Sequence, residues 1–201
     1  TDVVINGQQF LLTCNRQGDM ILFDWDPVID DYRPLKAQDF FIQVQRHVSQ
    51  LQSATDIRTL CQLAADAIQA LIGFDRVMVY RFDDVEGRGD VIAEANTGRL
   101  ESYLGLHYPA TDIPKQARDL FYLNGVRMIP NVDDTPVQLL AVSADLPPLD
   151  LSRSMMRGVS PGHIIYLQNM GVTASMSISI TYGGNLWGLF ACPHAAPRYI
   201  S

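Results

Sequence analysis

The chain has 201 residues, 47% hydrophobic and 18% charged, a balance that supports one well-cored domain with a small appendage and excludes a disordered chain. A formal net charge of -7 and a pI near 4.9 leave no broad basic field for a nucleic-acid backbone or an anionic membrane, so neither is expected as a partner. No apolar run approaches the roughly 20 residues a spanning helix requires, and Cys14, Cys61 and Cys192 form no CxxC pair, which fits a reducing, cytoplasmic setting without disulfides or structural zinc.

The opening TDVVING has neither the basic start nor the apolar stretch of a signal peptide. Residues 8–25 read as a β-hairpin, QQFLLTCNR and MILFDW joined at Gln17-Gly18-Asp19. A lone hairpin is marginal in water, so a partner from upstream of this chain is expected. A polar connector follows at 26–36. An amphipathic helix over 37–54 puts Phe40, Phe41, Val44, Val48 and Leu51 on one stripe. A second, capped by Thr55 and ending at Gly73, turns Ile57, Leu60, Cys61, Ala64, Ile68 and Leu71 inward. Residues 76–82 and 90–96 read as neighbouring strands around the turn DDVEGRG.

Thr111-Asp112-Ile113-Pro114 reads as a helix start, with Asp112 as a candidate N-cap and the helix running to about residue 124. A short strand at 127–129 and a long loop at 130–150 come next, and a loop of that length is more often functional than decorative. Helical pattern returns at 152–157 and again at 161–170. The chain closes on a hairpin, SMSISIT and LWGLFAC, joined at Tyr182-Gly183-Gly184-Asn185. This order specifies an α+β domain, an antiparallel sheet flanked by helices.

Several residues could carry chemistry. Ser175, Ser177, Ser179 and Thr181 alternate with Met176, Ile178 and Ile180, so the hydroxyls share one face of a strand. That face is either solvated or the floor of a groove that binds carboxylates. Arg127 and Arg157 offer planar forks that match carboxylate geometry, or are surface arginines. His163 sits just inside a helix start. Tyr80, Tyr108 and Tyr166 are core aromatics or pocket residues. A Cys192/His163/His194 site for metal or nucleophilic chemistry matches no ligand spacing and has no positioned third group. Proline at 193 is expected to interrupt strand pairing.

Together these segments resemble one family. Tyr108 to Arg118, YPATDIPKQAR, resembles the P-A-S-D-I-P-x-Q-A-R motif of phytochromes, with threonine for serine. Ser160-Pro161-Gly162-His163 with Tyr166-Leu167-Gln168-Asn169-Met170-Gly171-Val172 resembles their S-P-x-H-x-x-Y-L-x-N-M-G-V segment. FDRVMVYRF at 74–82, SMSISI at 175–180 and LWGL at 186–189 fit as well, so the likeness spans nearly all of 37–201.

The resemblance implies a GAF domain over 28–201, lacking its final helix, and the last hairpin of a PAS domain over 1–27. It implies a biliverdin chromophore, a linear tetrapyrrole isomerised by light at C15=C16. Signalling would pass to an output domain, often a histidine kinase, in a homodimeric full-length protein, and this fragment would not be an enzyme. By resemblance, Asp112 and His163 would join the network around the pyrrole nitrogens, and Arg127, Arg157, Ser175 and Ser177 would hold the propionates. Tyr80, Tyr108 and Tyr166 would surround ring D, and Ile113 and Pro114 would pack over the ring plane.

Three departures stand out. Ile164 occupies the position after the pocket histidine where plant and cyanobacterial phytochromes carry their attachment cysteine. The upstream attachment cysteine of bacterial phytochromes lies outside this chain. Pro193 replaces the histidine expected near the ring D carbonyl. A GAF-type module that senses another ligand or serves dimer contacts, without bilin, is the alternative from a different class.

Overall fold

Residues 2–27 form three strands, where the sequence suggested two. The computed structural model describes residues 2–28, 37–83, 87–143, 145–155 and 157–199. In it β1 (Asp2–Ile5), β2 (Gln8–Gln17) and β3 (Met20–Pro27) pair antiparallel in that order. The partner expected from upstream is therefore supplied, on one side of β2, by β1 within this chain. Asn6 and Gly7, at φ 50° and 82°, make the tight β1–β2 turn, an Asn-Gly pair being suited to two positive φ values. Most of the connector at 26–36 lies outside the described residues.

Two helices follow, α1 (Ala37–Gln52) and α2 (Ile57–Ile72). The cap of α2 is Asp56 and not Thr55: its carboxylate accepts from the Thr59 N–H at 2.9 Å and the Thr59 hydroxyl at 2.7 Å. Aspartate wins because it stands three residues before the donor, the span a capping side chain bridges. Gly73 ends the helix at φ 66°, the left-handed conformation glycine adopts freely. Cys61, Ala65, Ile68 and Ile72 turn toward the sheet, whereas Ile57 and Leu60 stay exposed, contrary to the expected stripe.

The main sheet has six strands: β4 (Arg76–Phe82), β5 (Gly89–Asn96), β6 (His107–Tyr108), β7 (Val126–Ile129), β8 (Ala174–Tyr182) and β9 (Asn185–His194). Their order is β6-β5-β4-β9-β8-β7, and every pairing is antiparallel, which gives the α+β class expected. Helices α3 (Lys115–Leu123) and α4 (Pro161–Asn169) are the other helices among the described residues. Among the described residues 152–157 is not helical; its polar side chains and carbonyls are engaged by other segments, as set out below.

The sheet has two distinct faces. Val77 and Val79 point to α2 and, with Phe74, Ala93, Ala95 and Cys192, make the main core. Met78, Tyr80, Val91 and Leu189 point the other way. Residues 91, 93 and 95 would share one face of a regular strand, but β5 carries a bulge: Val79 pairs with Ala93 and Tyr80 with Val91. The extra residue, Ile92, turns the strand over, so Val91 and Ala93 serve opposite faces.

Candidate ligand cavity

On the face opposite α2, the sheet, α3 and α4 enclose a cavity of about 360 Å³, within the size range of small-molecule sites. Its floor follows from strand register. Ile129, Ser175 and Pro193 lie side by side across β7, β8 and β9, and Arg127, Ser177, Ala191 and Met78 form the next row across to β4. Leu189, Tyr80 and Val91 continue it toward β5. The roof is helical: α3 supplies Ala117, Leu120 and Phe121, and α4 supplies His163, Tyr166 and Leu167 with its C-cap Met170, spacings that keep each set on one helix face.

Eleven of the twelve residues singled out from the sequence line this cavity: Tyr80, Tyr108, Asp112, Ile113, Arg127, Arg157, His163, Tyr166, Ser175, Ser177 and Pro193. Pro114 does not; it is exposed at the N-cap of α3. Proline holds the cap position, so Asp112 is not the cap; its N–H donates to the Pro109 carbonyl at 3.1 Å in the preceding turn. Pro193 does not break the strand either. β9 pairs with β8 through His194, and its ladder with β4 ends at Ala191, so the missing N–H has no partner to lose on that side.

One end of the cavity is cationic and rich in hydroxyls. Ser175 and Ser177 face it, while the Ser179 hydroxyl donates to the Phe121 carbonyl at 2.6 Å and ties α3 to β8. Arg127 is 8% exposed and its guanidinium donates to the carbonyls of Met155, Arg157 and Gly158. Burial first, and the neighbouring Arg157 second, push its pKa down to about 10. Arg157 bends back to the Ser154 carbonyl at 3.1 Å, and burial lowers its pKa too. Among the described residues no carboxylate pairs with either guanidinium. Two partly desolvated cations side by side constitute a demand for anionic charge.

The other end is aromatic. The Tyr80 and Tyr108 ring centroids are 5.9 Å apart, and Tyr103 stands 6.3 Å from Tyr108. Burial pushes the Tyr108 phenol up to about 12 and raises those of Tyr80 and Tyr166, so all three stay neutral donors near neutral pH. Tyr103, which the sequence did not single out, sits in a loop without periodicity and is held by Arg76, 3.9 Å from its ring. Gly89 is needed here as well: a Cβ at this position would lie 1.8 Å from the Tyr80 ring. His163 lies nearly parallel to Tyr166 at 6.3 Å, and burial, then Arg127, lowers its pKa.

Cys192 and His194 do not join His163. Both fall outside the cavity lining: Cys192 packs in the core beneath α2, its thiol pushed up to about 12 by burial, and His194 meets Asp75 and the Phe74 ring. Among the described residues no cluster of three or more His, Cys, Asp or Glu could hold a metal ion, and no helix is long and apolar enough to cross a membrane.

Comparison with known proteins gives this arrangement a family. The GAF domain model matches residues 56–200. The chain is 44% identical over 196 residues to cyanobacterial phytochrome B of Nostoc, covering 95% of this chain and 25% of that protein. It is 46% identical over 168 residues to a bacteriophytochrome of Pseudomonas aeruginosa, covering 83% of this chain and 23% of that protein. The chain thus spans about a quarter of these relatives' length. Among solved structures, the chromophore-binding domain of a Stigmatella aurantiaca phytochrome superposes with a TM-score of 0.91 at 41% identity, covering 99% of this chain and 66% of that one. A bacteriophytochrome from R. palustris gives 0.91 at 37% identity, covering 100% of this chain and 40% of that one. The chain belongs to the GAF domain family, and within that family its likeness is to the chromophore-binding domains of phytochromes.

Proposed function

We propose that this cavity binds biliverdin or a closely related linear tetrapyrrole, and that the chain is the light-sensing part of a phytochrome. The observation that carries this reading is the pair Arg127 and Arg157, two cations without a carboxylate partner among the described residues, set beside Ser175 and Ser177 at one end of an apolar slot. A flat, conjugated ligand with two carboxylates answers that donor set. Arg157, Ser175 and Ser177 bind the carboxylates, and Arg127 adds charge while bracing the loop that bears Arg157. Asp112 and His163 serve the pyrrole nitrogens, and Ile113 packs on the ring plane. Pro114 contributes from outside, by fixing where α3 begins. Tyr80, Tyr108 and Tyr166 line the end assigned to ring D, with Pro193 in place of a donor. When bound, the bilin supplies visible absorption and a C15=C16 double bond that isomerises in light.

On this reading residues 1–27 belong to a PAS domain and 28–201 to GAF, and the full-length protein dimerises and signals through an output domain such as a histidine kinase. This chain holds its ligand without a thioether, because Cys61 and Cys192 are buried away from the cavity and Cys14 lies on the N-terminal sheet. Mixing with biliverdin is expected to produce a red-absorbing band that changes reversibly under red light, and no zinc-induced fluorescence on a denaturing gel. No spectral change on mixing overturns the proposal and leaves a GAF module of other use.

A further inference from the structure

The 150–158 segment carries Arg157 into the cavity, yet its described residues have no regular secondary structure to hold it. From the domain side, Arg127 donates to three of its carbonyls and the Asn124 amide donates to the Ser152 carbonyl at 2.9 Å. From the other side it is held by the N-terminal sheet. On β3, one Asp24 carboxylate oxygen accepts the Ser154 hydroxyl at 2.6 Å and the other accepts the Met155 N–H at 3.1 Å. On β2, the Gln17 amide donates to the Asp150 carboxylate and, at 3.3 Å, to the Ser152 hydroxyl. Ser154 is 3% exposed and Asp24 is half-buried, so the Ser154–Asp24 bond is shielded from solvent although Met155 beside it is exposed, and a shielded charge-assisted hydrogen bond counts for more than one at a surface. Strand parity aims Asp24 inward: Leu22 is buried and Asp24 is partly buried, while Ile21, Phe23 and Trp25 point outward. Arg157 in turn bonds to the Ser154 carbonyl. The residue that Asp24 grips is thus the residue on which Arg157 rests.

We infer that Asp24 is a positioning residue for the cavity: its carboxylate, which grips the residue Arg157 rests on, carries the N-terminal sheet's hold on Arg157 and so sets the affinity for a ligand's carboxylate. The inference rests on the proposed role of Arg157 as a carboxylate binder. A side chain held from two directions loses less freedom when a ligand arrives, and releasing one hold weakens binding without removing any group that touches the ligand.

The test uses the whole chain, with biliverdin and biliverdin dimethyl ester as probes and affinity read by absorption. Arg157→Ala is expected to weaken biliverdin binding about tenfold or more and ester binding far less, since the ester offers no carboxylate. Asp24→Ala is expected to reproduce that selective loss at several-fold. Asp24→Asn, which keeps the size and one acceptor oxygen, is expected to lie between Asp24→Ala and the parent. The double variant is expected to lose no more than Arg157→Ala alone, because the two act through one contact. Selective loss with Arg157→Ala but none with Asp24→Ala overturns the inference and leaves the Arg157 assignment standing. Equal loss of acid and ester with Asp24→Ala overturns it too, by making Asp24 a general stabiliser. No selective loss with Arg157→Ala overturns the assignment and the inference together.

Discussion

The Tyr80 ring occupies the space that a side chain at residue 89 would fill, with three of its atoms within about 2 Å of the ideal Cβ position. Gly89→Ala therefore forces the ring off its place, toward the cavity. Overpacking of this kind costs about 1–3 kcal/mol, and thermal denaturation should show it as a lowered Tm. Adding Tyr80→Leu, which removes the far ring atoms, is expected to recover most of the loss; a double variant no more stable than Gly89→Ala would place the strain elsewhere. His163 makes a second residue-scale prediction. Burial, then Arg127, holds its folded-state pKa below the ordinary 6.5, so the unfolded chain takes up its proton first as the pH falls. Stability from this group is whole above about pH 6.5, declines below it, and stops declining once the folded-state value is passed. In the ligand-free protein, His163→Gln should lose less Tm than the parent between about pH 7 and pH 5. His163 was legible because it sits in a sequence motif, and Arg157 because a guanidinium six residues before it matches carboxylate geometry. Tyr103 and Gly89 were not, since their roles come from a loop and a cross-strand gap that no local pattern encodes.

Strand parity decides which chemistry the cavity can use. Ala191 and Pro193 face it and Cys192 faces α2, so the core cysteine is one residue out of phase with the ligand side. With Cys61 buried as well, Cys14 is the thiol expected to react promptly with an aromatic disulfide reagent in the native protein, with all three reacting after denaturation. A second fast thiol would mean that the α2–sheet core opens readily. The hydroxyl alternation of β8 could be read in the sequence because its period is unbroken from Ser175 to Ser179 along the cavity side. The inversion of β5 could not, because a bulge is set by how β4 and β5 pair and not by β5 alone. β6 is two residues long and leaves no period to detect. The Asn6-Gly7 turn was legible but easily passed over, since the strand before it has only four residues. At 152–157 the pattern suggested a helix, and long-range bonds from Asp24, Asn124 and Arg127 captured the segment instead.

The whole molecule places its last strands in the middle. β9 lies between β4 and β8, and the cavity floor draws on β4, β7, β8 and β9 together, with residues 78 and 191 neighbours across one ladder. During synthesis, the chain through the end of β5 at residue 96 must wait for 98 more residues before β9 is complete at 194, about 5 to 20 seconds at common elongation rates. Until then β4 has an open edge, and until β8 is complete at 182 the Arg127 strand has no partner in the sheet. A nascent chain stalled near residue 173 is expected to take up no biliverdin, and one released at full length to bind it. On the proposed reading, pigment capture waits on one late piece of chain: however much tetrapyrrole surrounds the ribosome, the pocket exists only once the β8–β9 hairpin slides into the sheet's centre.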